Sequence, residues 1–159
     1  MRRAVFAGTF DPLTLGHVDI VRRGLALFDE VIVAVGHNPA KKRLLDLDTR
    51  LAVARDAFAS CAGVRVMPYE GLTVDFALAE GAAGILRGLR GEADLGFEMP
   101  NALANRAMAP GIETVFIATD PALAFVSSSL MKEIAGAGGD PSPWLPPASW
   151  RALREALHR

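Results

Sequence analysis

Cysteine is almost absent from this 159-residue chain, which holds only Cys61 beside three histidines, His17, His37 and His158. A lone thiol excludes an intramolecular disulfide. So few sulfur and imidazole groups also exclude a structural zinc site, so no protein-held metal is expected. Excess charge is missing too: 17 Lys+Arg stand against 18 Asp+Glu, a formal net charge of -1. Proteins held on nucleic acid by their overall field are clearly basic, so no nucleic-acid partner is expected. No run approaches the roughly 20 apolar residues of a membrane helix. The basic start Met1-Arg2-Arg3 leads into a short apolar stretch that Thr9, Asp11 and Pro12 interrupt before a secretory core forms. The expectation is a cytoplasmic protein with no membrane partner. The motifs G-x-x-x-x-G-K-[ST], G-x-G-x-x-G and G-x-S-x-G are all lacking. That argues against a P-loop, a hydride-transfer dinucleotide site and an α/β-hydrolase nucleophile.

What is present suits a core: 51% of residues are hydrophobic and 22% charged. A chain of this length hides roughly 70% of its unfolded surface, enough for a single domain over 1–159. Apolar, β-branched runs predict strands at Arg3–Ala7, Val31–Val35, Val64–Met67, Gly84–Gly88 and Thr114–Ala118. Between them, Val18, Val21, Leu25 and Phe28 share a helix face. Leu51, Ala54, Phe58 and Cys61 share another after a capping Asp46, and Leu72–Leu78 forms a short helix. Leu95, Met99 and Leu103 predict a helix over about Leu95–Met108, with Gly96 and Pro100 pushing its start to Met99 or later. Ser127–Ala135 and Ala148–Leu157 read as the last helices. Strands alternating with helices imply an α/β fold, a doubly wound, mostly parallel five-stranded sheet. Ligands of such sheets bind beyond the carboxyl ends of the strands, so the loops after Ala7, Val35, Leu86 and Ala118 should carry the chemistry.

Those loops are rich in phosphate-binding groups. The first reads Gly8-Thr9-Phe10-Asp11-Pro12-Leu13-Thr14-Leu15-Gly16-His17. Gly16 permits close backbone approach, and His17 falls in the first turn of a helix, where free N–H groups attract anions. The second loop holds Lys41-Lys42-Arg43, which alone also reads as a solvated basic run. Arg87-Gly88-Leu89-Arg90 follows the fourth strand, with Glu92, Asp94 and Glu98 as competing salt-bridge partners. Ser127-Ser128-Ser129 precedes Lys132 and serves a helix cap, a phosphate or both. No thiol, metal cluster or general base joins them, and Asp11 is suited only to orienting. Many phosphate ligands without a base suit phosphoryl or nucleotidyl transfer, where catalysis is positioning and charge stabilisation.

Gly8-Thr9-Phe10-Asp11-Pro12 with Thr14-x-Gly16-His17 resembles the T/HxGH signature of the nucleotidylyltransferase superfamily. Arg87-Gly88-Leu89-Arg90 and Ser127-Ser128-Ser129-x-x-Lys132 are similar to segments of the bacterial phosphopantetheine adenylyltransferase family. The likeness runs from about Arg3 to Leu157 and implies a Rossmann-like nucleotidyltransferase fold. It implies transfer of the adenylyl group of ATP to 4′-phosphopantetheine, giving dephospho-CoA and pyrophosphate in coenzyme A synthesis. Attack would be in line, with no covalent intermediate. By this resemblance His17, Lys41 and Arg90 are the catalytic, charge-stabilising groups. Thr9, Phe10, His17, Gly88, Leu89, Arg90, Glu98 and the run Leu123, Ala124, Phe125, Val126, Ser127, Ser128, Ser129 bind ATP. Thr9, Lys41, Thr73 and Arg87 bind the acceptor. Mg²⁺ is the implied cofactor and a homohexamer the implied assembly. An oligomer also follows from size, since one small domain encloses two large ligands poorly.

The sequence departs from that family at several positions. Leu15 stands where Asn is frequent, Leu123 replaces an aromatic, Phe97 replaces Tyr, and Gly96 and Pro100 interrupt a helix. These bear on the adenine site and on Glu98. Two alternatives stay open: a nucleotidylyltransferase with another acceptor, such as glycerol phosphate, and a non-catalytic nucleotide or coenzyme A sensor.

Overall fold

The computed structural model describes residues 1–40 and 42–158. Five strands, β1 (Arg3–Gly8), β2 (Glu30–Gly36), β3 (Val64–Tyr69), β4 (Gly84–Leu89) and β5 (Glu113–Ala118), form one sheet in the order β3-β2-β1-β4-β5. Every pairing is parallel. The helices are α1 (Leu15–Gly24), α2 (Leu47–Ala57), α3 (Thr73–Ala79), α4 (Glu92–Met108), α5 (Ser128–Gly136) and α6 (Pro147–Leu157).

The two-residue period of a strand decides which core each side chain joins. On one face Ala4 and Phe6 of β1 and Val31, Val33 and Val35 of β2 pack with Val18 and Val21 of α1 and Leu51 and Ala54 of α2. On the other, Val5 and Ala7 of β1 and Ile32 and Ala34 of β2 pack with Val74 and Ala77 of α3. Both faces being covered explains why these strands read as unbroken apolar runs. A third cluster of Val126, Met131, Leu145 and Leu153 fastens α5 to α6.

Two expectations need correction. The helix expected to start at Met99 or later starts at Glu92 and runs through Pro100. Proline removes one backbone donor and crowds the carbonyl four residues earlier, which here belongs to Gly96. A Cβ on Gly96 would meet nothing within 4 Å, so that turn can open toward solvent. Asn101 Nδ2 donates to the Phe97 carbonyl at 3.1 Å in the disturbed turn. Gly96 and Pro100 are both exposed, so no packing at that turn resists the distortion. The second correction is to β4. It runs one residue past the expected end at Gly88, to Leu89, which pairs with Ala118, so Arg87, Gly88 and Leu89 are all strand residues and only Arg90 lies in the loop. Gly88 is needed there, because a Cβ would stand 2.9 Å from Ile20 Cγ1 of α1.

Candidate active site

The chain winds from β1 out to β3, then returns to place β4 on the other side of β1. The carboxyl ends of β1 and β4 therefore flank the point where the winding reverses, the place where open α/β sheets bind ligands. A cleft of 960 Å³ opens there. Of the residues singled out in the sequence, Thr9, Phe10, His17, Thr73, Arg87, Gly88, Arg90, Glu98, Val126, Ser127 and Ser128 line it. Leu89, Leu123, Ala124, Phe125 and Ser129 do not contribute to its walls. Leu123 packs into the third core cluster, and the Phe125 ring meets Trp144 edge-on at 5.3 Å. Lys41 lies outside the described residues.

His17 is the third residue of α1 and closes a reciprocal cap. Its N–H donates to Thr14 Oγ1 at 3.4 Å, and the Thr14 N–H donates to His17 Nδ1 at 3.0 Å. Glu or Gln ordinarily makes the return bond of this motif. Because Nδ1 accepts a backbone proton, the neutral ring carries its own hydrogen on Nε2. The ring stands edge-on to Phe10 at 5.1 Å. Burial, then the charges of Arg90 and Arg87, lower the His17 pKa from 6.5 to about 4. His17 is thus a neutral N–H donor at physiological pH. In the unfolded chain the same ring protonates near 6.5. The stabilisation from keeping it neutral is complete above that pH and is lost as pH falls through about 4. A proton NMR titration of the ring should give a midpoint near 4, and a midpoint near 6.5 would refute the buried neutral donor.

Gly16 lines the same wall, and a Cβ there would meet only Thr14 Oγ1, at 3.5 Å. Neither packing nor backbone dihedral requires glycine at this position, so its bareness serves the cleft. The N-terminus of α5 faces the same space, with Ser127 capping the Leu130 N–H at 3.1 Å. Ser128 Oγ donates to the Pro12 carbonyl at 2.8 Å, tying that helix to the loop after β1. Two helix N-termini therefore open on one cleft, each with free N–H groups and a partial positive charge.

The arginines across the cleft are held by carboxylates of α4. Arg87 Nε donates to Glu98 Oε2 at 2.8 Å, Nη2 binds the other oxygen, and Nη1 donates to the Ala7 carbonyl at 2.7 Å. Arg90 makes a two-pronged pair with Asp94 at 2.9 Å, which raises its already high pKa and lowers that of Asp94. Both pairings were open as competing readings. They set the guanidinium planes on the cleft wall, where a phosphate can share or take over a prong. On the β3 side, Thr73 Oγ1 lies 3.1 Å from the Tyr69 hydroxyl, and His37 Nε2 lies 3.5 Å from Glu70.

Asp11 orients, as expected, but its burial was not foreseen. It accepts from the Leu44 and Leu45 N–H groups at 3.1 and 2.9 Å and from Lys132 Nζ at 3.2 Å. No local sequence pattern singles out Arg50, which is buried within α2 beneath the loops. Burial lowers its pKa, and Asp11 counters that effect.

A family model described as cytidylyltransferase-like matches residues 5–134. Phosphopantetheine adenylyltransferase of Heliobacterium modesticaldum is 49% identical over 155 residues, 98% of this chain and 92% of that protein. The chain belongs to the phosphopantetheine adenylyltransferase family of cytidylyltransferase-like proteins. Proteins of the same description from a Nocardioides and an Acidovorax species are 49% and 46% identical, over 99% and 98% of this chain. It is therefore a nucleotidyltransferase, and the cleft has the polarity that a nucleotidyltransferase needs. Donors come from two helix ends, a neutral imidazole and two arginines. Among the described residues no group of three His, Cys, Asp or Glu side chains could cage a metal ion. No described helix is long and apolar enough to cross a membrane.

Proposed function

We propose that the protein transfers the adenylyl group of ATP to 4′-phosphopantetheine, forming dephospho-CoA and pyrophosphate. The observation that carries this reading is the locked, neutral His17 at the edge of a cleft bounded by Arg87, Arg90 and two helix N-termini. A phosphomonoester acceptor is already ionised near neutral pH, so no general base is required. What the reaction requires is relief of charge on the α-phosphate and on the departing pyrophosphate. His17 Nε2–H suits the α-phosphate, and Arg90 with the N-terminal N–H groups of α5 suits the leaving group. Arg87, together with Lys41, suits the acceptor phosphate. The wall of Tyr69, Leu72 and Thr73 offers apolar surface and hydroxyls to a long amide-bearing arm.

Mg²⁺ fits this site as a companion of the polyphosphate. Mg²⁺ is commonly held largely by substrate phosphates and water, which suits a cleft whose bordering carboxylates, Asp94 and Glu98, are already paired with Arg90 and Arg87. When bound, it neutralises phosphate charge. Assembly as a homo-oligomer, a hexamer by family resemblance, accords with α4, which leaves Phe97 70% and Leu103 61% exposed.

The test is an acceptor panel with Mg²⁺, following pyrophosphate and the nucleotide product. ATP with 4′-phosphopantetheine should yield both products. Turnover of CTP with glycerol 3-phosphate instead would overturn the reading, and ATP binding without turnover of any acceptor would favour a sensor.

A further inference from the structure

Arg50 sits in the first half of α2 with 3% of its surface exposed. Its Nε donates to the Leu45 carbonyl at 3.2 Å, and Nη1 donates to the carbonyls of Thr9 and Gly36, both at 2.8 Å. Those carbonyls come from the loop after β1, the end of β2 and the loop leading into α2. All three segments reach the cleft, through Thr9, Gly36 and Arg43. Leu45 is held through both of its backbone groups, since Asp11 takes its N–H while Arg50 takes its carbonyl.

The Thr9 contact has a further consequence. Phe10 has φ of 50°, a left-handed conformation that bulky residues rarely adopt. That angle is set by the orientation of the Thr9–Phe10 peptide plane, whose oxygen Arg50 grips. None of the three bonds reaches Arg87 in β4, Arg90 in the turn between β4 and α4, or the serines at the start of α5.

We propose that Arg50 is a positioning residue for the acceptor half of the site. It locks the loops after β1 and β2 together so that their side chains meet the phosphorylated acceptor. The nucleotide is expected to touch the first loop through Thr9 and Phe10, but its contacts from Gly88, Arg90 and the start of α5 lie outside the three gripped segments. This rests on the adenylyl-transfer reading above. A lysine keeps the charge but lacks the planar fork that spans diverging carbonyls.

The test compares wild type, Arg50→Lys and Arg50→Gln by steady-state kinetics, calorimetric binding and hydrogen exchange read by mass spectrometry. Both variants should raise the acceptor KM by about tenfold or more while the ATP Kd stays within about threefold. Arg50→Lys should recover little of the loss. Exchange should quicken in peptides covering 9–14 and 36–45 and stay unchanged in those covering 84–89 and 128–136. Equal weakening of both ligands, no weakening of either, or loss of the folded circular-dichroism spectrum in both variants would overturn the proposal. If the wild type makes no dephospho-CoA, the adenylyl-transfer reading fails by itself. The exchange pattern then decides the role of Arg50: loosening confined to the two loops supports positioning, and loosening across the sheet overturns it.

Discussion

Replacing His17 with alanine should lower kcat by at least about 100-fold, some 2.7 kcal/mol of barrier, while the Kd for ATP changes by less than about threefold. The asymmetry follows from the proton inventory of the ring. Nδ1 is committed to the Thr14 N–H, so Nε2–H is the one group His17 can offer to the cleft. A donor aimed where charge develops is typically worth about 2.7–4 kcal/mol in the barrier. In the ground state the α-phosphate also has helix N–H groups, so affinity depends little on the imidazole. Alanine also opens the cap, at a cost of about 1 kcal/mol in stability. His17→Gln separates the two effects. Glutamine is an ordinary partner in this capping motif, so the melting temperature should recover while turnover does not. A parallel fall in ATP affinity would show that His17 binds the ground state.

The second large effect is at Arg87. Arg87→Met should cost about 10²–10³-fold in kcat/KM for the acceptor, the scale expected for a lost charge-stabilising donor. It should also destabilise the fold, because Glu98, with 12% of its side chain exposed, loses its partner. Breaking a fully buried pair costs roughly 3–5 kcal/mol. The Arg87 side chain is 29% exposed, so about 2 kcal/mol is the expected loss. Pairing the change with Glu98→Gln removes the stranded carboxylate. The double variant should regain most of its melting temperature and none of its activity. Recovery of activity in the double variant would place Arg87 in the fold alone, outside acceptor binding.

The fold was legible because its central strands carry a simple signal. β2 holds five apolar, mostly β-branched residues in a row, the way a strand covered on both faces is written. The first turn was legible for a different reason, since Thr14, Gly16 and His17 set a capping hydroxyl, a bare backbone and an imidazole together at a helix start just after a strand. What escaped depended on tertiary context. Gly96 and Pro100 are local helix breakers, yet α4 lies on the surface and tolerates them. Arg50 reads in sequence as the solvated face of an amphipathic helix. Its burial is dictated by three carbonyls from elsewhere in the chain, which no local pattern encodes. The pairing of Arg87 and Arg90 with α4 was visible only as a possibility, since Asp94 follows Arg90 by one turn but Glu98 reaches back to β4.

The central claim is that this site positions and neutralises rather than reacts. His17 has no free lone pair facing the cleft, because Nδ1 accepts from Thr14 and Nε2 carries the proton. The acceptor phosphate must then displace pyrophosphate directly. The direct measurement uses ATP made chiral at the α-phosphorus with sulfur and follows the configuration at phosphorus in the dephospho-CoA formed from 4′-phosphopantetheine. A single in-line displacement predicts inversion. Net retention would require two displacements through an adenylylated side chain and would contradict the account.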